Sequence, residues 1–242
     1  MRPFLPDDDA LLDREPVFEL EQAVFAQRGE AQTLEVPSLS LRGGAAIALT
    51  GEPVGVEALL RAGFLLLPPR TGRCRVLGED IRRLGLGGRA RLRRRIASVG
   101  AGAALDPALT LAENLGLRLR LAGAPPRAYR SEVERVIEDF ELGPEAGRAA
   151  AGASFAARRA VVLGRALLAQ PALLIGETPF DGLKPAVRER ALRQCNALRL
   201  AGTGCLFAGL RPEEAHLLEA PVYEAGEGGL LRPARRLARG AA

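Results

Sequence analysis

The sequence contains one lysine, Lys184, and one histidine, His216, among 242 residues. Each scarcity excludes chemistry. A phosphate site built on lysine must use Lys184, and a mechanism built on histidine must use His216. Cysteine is almost as rare. Cys74, Cys195 and Cys205 lie far apart and form no C-x-x-C pair, so they read as small core residues in a reduced, cytosolic compartment. No run of about 18 uncharged apolar residues occurs, so no segment reads as membrane-spanning. The first residues, MRPFLPDDDALLDREP, hold three consecutive aspartates and no apolar stretch, which does not read as a secretory signal.

The residues that are present can bury a sizeable core. Hydrophobic residues make up 48% of the chain, enough for one large domain or two small ones. The net charge of +5 is carried by arginine, but 29 acidic residues are interspersed with the basic ones, so no nucleic-acid partner is expected. One basic cluster stands out: IRRLGLGGRARLRRRIAS holds seven arginines between Arg82 and Arg95. It reads as a solvated turn and the lead into a strand, or as a contact for anionic lipid headgroups or an acidic partner surface.

Apolar patterning predicts strands at 17–25, 34–41, 45–50, 72–77, 95–99, 172–176 and 204–208. The runs at 45–50, 172–176 and 204–208 are short and continuously apolar, as in parallel strands covered on both faces. The earlier ones alternate more and suit an antiparallel sheet. Helices are predicted at 57–63, 128–141, 156–169, 185–200 and 212–219. Val133, Val136, Ile137 and Phe140 form one apolar stripe, and Pro185 suits a first helical turn. Strands alternating with helices in the second half argue for an α/β sheet. The expected organisation is an N-terminal extension over 1–16, one domain over 17–232 with a helical part at about 101–155, and an arginine-rich tail over 233–242 with little fixed order.

From Val17 to Leu231 the sequence resembles the ATP-binding subunits of ABC transporters. LRGGAAIALTG resembles the strand that leads into their phosphate loop, and PPRTGRCRVLGEDI the segment after the first helix. RRRIASVGAGAALDPALTLAENL is similar to the Q-loop segment with its recurrent L-T-x-x-E-N. RRAVVLGRALLAQPALLI followed by GETPFDGL is similar to the signature helix, the Walker B strand and the D-loop. LRLRLAGAPPRAYRSEVERVIEDFELG is nearest to single-domain subunits serving lipid, lipoprotein and cell-division systems. The resemblance implies an α/β, P-loop NTPase-like nucleotide-binding domain with a mixed or parallel sheet core, an N-terminal antiparallel β subdomain and an inserted helical subdomain.

Phosphoryl transfer from ATP is mostly positioning and charge stabilisation, and the resemblance lets each motif position be checked. The family's phosphate loop, G-x-x-G-x-G-K-[ST], cradles anionic oxygens with backbone N–H groups and a lysine. Here the positions are Gly51, Glu52, Pro53, Val54, Gly55, Val56, Glu57 and Ala58. A carboxylate stands at the lysine position, and Ala58 offers no hydroxyl to Mg²⁺. At an effective dielectric near 20, a like-charge pair about 4 Å apart costs on the order of 4 kcal/mol. A helix dipole contributes about 1 kcal/mol and does not offset this.

The other motif positions depart in the same direction. Gln27 stands where adenine stacks on an aromatic ring, and Ala101 stands at the Q-loop glutamine. The signature reads Ala153-Ser154-Phe155-Ala156-Ala157, with Ser154 retained as a signature residue or as a helix N-cap. Glu177 takes the position of the Mg²⁺-associated aspartate and Thr178 that of the catalytic glutamate. Lys184 replaces the D-loop aspartate. Gly209 aligns with the switch histidine, and His216 is seven residues out of register.

These substitutions predict a subunit with no catalytic residue and no metal ligand of its own. No cofactor is expected, or ATP with Mg²⁺ only in a weak or non-standard mode. The implied partners are a transmembrane permease, docked near residues 99–125, and an intact ATPase paralogue or a second copy. The expected place is the cytoplasmic face of the inner or plasma membrane, held through the permease. Two alternatives stay open: a weak ATPase that uses Glu177 and arginines, and an interaction module of another class on the same fold.

Overall fold

The structure is a computed structural model that describes residues 15–26, 33–100, 104–121, 125–226 and 228–234. In chain order the strands are β1 (Pro16–Ala26), β2 (Thr33–Arg42), β3 (Ala46–Gly51), β4 (Thr71–Val76) and β5 (Glu79–Asp80). They continue with β6 (Ile96–Val99), β7 (Leu173–Glu177), β8 (Gly204–Ala208), β9 (Val222–Ala225) and β10 (Leu231–Pro233). The α-helices are α1 (Pro53–Gly63), α2 (Leu86–Arg93), α3 (Leu111–Leu121), α4 (Pro126–Asp139), α5 (Phe155–Leu168), α6 (Pro185–Ala201) and α7 (Pro212–Leu217).

Two sheets result. β2-β1-β4-β5 is antiparallel throughout. The six-stranded sheet runs β10-β9-β3-β8-β7-β6 and is parallel except where β10 pairs with β9. Because side chains alternate along a strand, Leu173, Ile175 and Leu206 face one core while Leu174, Cys205 and Phe207 face another. The first core lies between the antiparallel sheet, α1 and one face of the parallel strands. The second joins the opposite face to α3–α6. Burial on both faces is why those strands read as unbroken apolar runs. All three cysteines are buried and unbridged; burial pushes the thiols of Cys74 and Cys205 up to about 12.

Four sequence expectations change here. The segment at 95–99 joins the parallel sheet beside β7 rather than the antiparallel one. The middle of the arginine cluster, Arg89, Arg91 and Arg93, lies on helix α2, while Arg82, Arg83, Arg94 and Arg95 sit in the turns on either side. Pro233, read as the first residue of a tail with little fixed order, belongs to β10 and pairs with Tyr223; residues 235–242 lie outside the described residues. The first helix begins at Pro53, four residues before the predicted Glu57, which matters most for the site.

Candidate functional site

The carboxyl ends of parallel strands in an open α/β sheet form the usual binding crevice, and several of the candidate residues gather there. β3 ends at Gly51, β7 at Glu177, and β8 runs into Gly209. Leu49 pairs with Ala208, and Ala208 with Glu177, so adjacent ends are one strand spacing, about 4.8 Å, apart.

The Gly51–Ala58 segment is a strand end and a helix, with Glu52 alone between them. Gly51 has φ +101° and pairs with Ala225, and a Cβ on it would lie 2.2 Å from the Ala225 carbonyl oxygen. Glu52 donates its N–H to that same carbonyl at 2.8 Å, and its own carbonyl accepts from Val56 at 3.0 Å. Pro53 opens α1, where its missing N–H costs nothing and its fixed φ favours the turn. Val54 and Val56 occupy two glycine positions of the family pattern. β-branched residues strongly resist φ above zero, so the chain continues as a right-handed helix.

One helical step turns a side chain by about 100°, so Glu57 and Ala58 point apart. Glu57 is exposed and pairs with Arg61 at 3.3 Å. Ala58 is buried in the core. Gly55 is buried too, and a Cβ there would lie 2.8 Å from that of Ala225. With the segment wound into helix, the amides from Val56 onward serve the helix itself.

At the next strand ends, Thr178 has φ +43°, a strained conformation for a β-branched residue that costs on the order of 1–3 kcal/mol. Its surroundings impose it. Thr178 N–H donates to Ala208 O at 2.9 Å, and its carbonyl accepts from Asp181 N–H at 3.2 Å and from Arg159. Its methyl group packs over Gly209, itself at φ +67°. Arg159 also donates to Asp181 O at 3.0 Å. This arginine, unnoticed in the sequence, therefore ties α5 to the segment after β7. A cleft of about 500 Å³ opens beside it, lined by Gly100, Leu105, Phe155, Arg159 and Thr178 among others.

Ser154 is held by contacts of its own. It is the N-cap of α5, accepting from Ala157 N–H at 3.2 Å. Its N–H and its hydroxyl both donate to the Glu145 carboxylate, each at 2.7 Å. Glu145 is thus an internal anion at the start of the signature helix, which no local sequence pattern announced. Lys184, the N-cap residue of α6, pairs with Glu141 at 3.7 Å. The Ser154 N–H, followed by its hydroxyl, holds the Glu145 carboxyl below the ordinary value of 4.5. A depressed folded-state pKa contributes stability above the ordinary carboxylate range and loses it as pH falls through the folded value. Thermal melts in a pH series should therefore show wild type losing stability below pH 4.5 more steeply than Glu145→Gln; parallel curves would show that the contact carries no charge-dependent stability.

The recurrent L-T-x-x-E-N has a structural explanation. Thr110 N–H donates to Glu113 at 2.8 Å and Glu113 N–H to the Thr110 hydroxyl at 3.1 Å, a reciprocal capping box for α3. Asn114, fully buried, donates to the carbonyls of Asp106, Leu109 and Thr110. Gln27 and Ala101 lie outside the described residues.

The profile of the family described as ABC transporter matches residues 34–180, more than half of the chain. The chain belongs to the ABC transporter family. The methionine import ATP-binding protein MetN 2 of Burkholderia mallei is 32% identical over 177 residues, covering 72% of this chain and 45% of that protein. MetN of Caulobacter vibrioides is 30% identical over 169 residues, 69% of this chain and 51% of that one. The spermidine/putrescine import ATP-binding protein PotA of Pseudomonas aeruginosa is 29% identical over 177 residues, 72% and 47%. This ABC transporter chain thus spans about half the length of the curated relatives it matches.

Among solved structures, an ATP binding subunit of an ABC transporter superposes with a TM-score of 0.78 at 23% identity, covering 93% of this chain and 95% of that one. A dimeric ATP-binding cassette in a post-hydrolysis state, bound to ADP and Pi, gives 0.77 at 18% identity, covering 91% and 100%. These two likenesses show a shared fold, which in this chain is a mixed sheet with an antiparallel one.

The comparisons correct one expectation. A chain with no cofactor does not fit a family whose matched members are named ATP-binding proteins and whose structural neighbour holds ADP and Pi. The local geometry is a separate matter. Residues 51–58 do not form an open loop of amides that fits a triphosphate, because Pro53–Ala58 are helix and Glu57 carries a negative charge.

Proposed function

We propose that this chain is a nucleotide-binding-domain subunit of an ABC transport complex whose own hydrolytic chemistry is lost, and which serves as a structural or regulatory partner. The observation that carries this reading is the helical start at Pro53. It winds up the segment that would position and neutralise transferring phosphate. Thr178 at the general-base position and Gly209 at the switch position point the same way. ATP, named for the relatives, is carried over as the ligand, and the loss is assigned to turnover.

The partners are a transmembrane permease together with a catalytically intact paralogue or a second copy, at the cytoplasmic face of the membrane. The relatives' names point to import of small cationic or zwitterionic solutes. A lipid cargo rests on the likeness of residues 117–143 alone. Among the described residues no helix is long and apolar enough to cross a membrane, so in this reading the permease supplies the membrane crossing.

Phosphate release tests the proposal, measured on the purified chain alone and with its permease and partner subunits. The expected result for the chain alone is no release above background. Turnover abolished by Glu177→Gln overturns the proposal in favour of an unconventional ATPase. Binding of an ATP analogue, followed with and without Mg²⁺, keeps loss of hydrolysis apart from loss of binding.

A further inference from the structure

The arginine cluster is the largest feature that the nucleotide fold does not use. Between Glu79 and Arg95 there are seven arginines against two carboxylates, Glu79 and Asp80. Not all of these arginines face outward. Arg89 is half-buried, and its guanidinium donates to the carbonyls of Leu65, Ile81 and Leu84 at 3.2 Å each. It joins the segment just after α1 to the turn before α2 by satisfying one carbonyl of the first and two of the second. Arg93 adds a bond from Nε to Phe64 O at 3.4 Å.

The remaining arginines are exposed on the surface so assembled. The Arg83 side chain is 88% exposed, and Arg91 is 67% exposed beside Glu79. Arg82, Arg94 and Arg95 are exposed as well. On α2 the buried side is marked by Leu92. Helical spacing puts Leu86, Ala90 and Arg94 on the opposite side.

Leu86 is 90% exposed, and Leu66, in the turn beyond α1, is 51% exposed. Leu86 is thus presented to solvent on the helix that carries the cations, and Leu66 directly follows Leu65, whose carbonyl Arg89 holds. A partner that only neutralised charge would leave them in water. A bilayer surface rich in anionic phospholipid satisfies both, because guanidinium groups pair with phosphate oxygens and leucine enters the headgroup boundary. The patch is also distinct from the candidate nucleotide site. It lies beyond the C-terminal end of α1, whereas Gly51–Ala58 reach only half-way along that helix, so five residues, Leu59–Gly63, or about 8 Å of helix, lie between the two.

We propose that the outer face of α2, with Leu66 and Leu86, is a membrane-contact surface that takes anionic phospholipid headgroups. This contact acts beside any permease contact and is independent of ATP turnover.

Flotation of the full chain with vesicles of phosphatidylcholine, with and without phosphatidylglycerol, tests it. Capture is expected only when phosphatidylglycerol is present, and it should weaken as salt rises. Replacing Arg83, Arg91 and Arg94 together with alanine should weaken capture by about 100-fold, since each arginine near an anionic surface contributes about 1 kcal/mol, or roughly 5-fold. The same three positions as lysine should retain capture, and unchanged thermal melts would show that every variant is folded. Leu86→Ser should give a smaller loss that salt does not alter. Equal capture by neutral vesicles, no capture by anionic ones, or tighter binding to duplex DNA than to anionic vesicles at the same salt would each overturn the assignment.

Discussion

Replacing Gly51 with alanine is expected to destabilise the chain by about 2–5 kcal/mol. An L-residue forced into left-handed backbone space costs about 1–2 kcal/mol, and overpacking adds about 1–3 kcal/mol. Both apply here, because Gly51 has φ +101° and a Cβ would fall 2.2 Å from a backbone oxygen that already accepts the Glu52 N–H. That oxygen belongs to Ala225 on β9, so the strain enters the β3–β9 seam rather than a side chain that could swing away. Urea unfolding of the chain without nucleotide should show the full effect. A loss below about 1 kcal/mol would mean that the seam shifts to accommodate a methyl group. The prediction separates two reasons for a glycine at this point, since a residue kept only to admit phosphate would cost nothing in the unliganded chain.

Glu214→Ala is expected to cost about 3 kcal/mol. Glu214 is buried and receives Arg188 Nε at 2.7 Å and the Arg211 N–H at 2.9 Å. The Arg188 side chain is itself only 15% exposed. Removing one partner of a buried pair leaves the other charge uncompensated, typically at about 3–5 kcal/mol. The lower end applies because Asp181 stays within 3.9 Å of Arg188. For a chain of this size the melting temperature should fall by roughly 6–12 °C. The double change Arg188→Met with Glu214→Leu should recover most of that loss, because two apolar side chains restore packing without a stranded charge. A double variant no better than Glu214→Ala would show that the pair does more than satisfy itself. Asp181 also lies 4.0 Å from Arg211, so the ion pairs bind the segment after β7 to the one after β8.

The parts of the fold legible in the sequence were those set by local periodicity. β3, β7 and β8 announced themselves as apolar runs, and the α4 stripe placed Val133, Val136 and Phe140 in the core. Helix α2 was hidden because its buried side is a single turn holding Leu92, too little for a periodic signal. β9 and β10 were hidden because both are short. At the site, Pro53 was a visible helix-start signal. Likeness to a phosphate loop led to a later start, yet valines at two glycine positions decide the backbone there. Glu145 on Ser154 and Arg159 on Thr178 were out of reach, since their partners lie 9 and 19 residues away with no pattern linking them.

Residue chemistry alone determined which reagents this chain can bring to a phosphate. One lysine and one histidine cannot be in two places, and neither lies within residues 51–58. Tertiary structure decided what these segments became: residues from Pro53 wound into α1, the Glu145 carboxylate settled on Ser154, and Arg159 braced the end of β7. The division has one physical reason. A side chain's charge, hydroxyl or missing N–H travels with the sequence, whereas a contact exists only after two distant segments have packed against the same core.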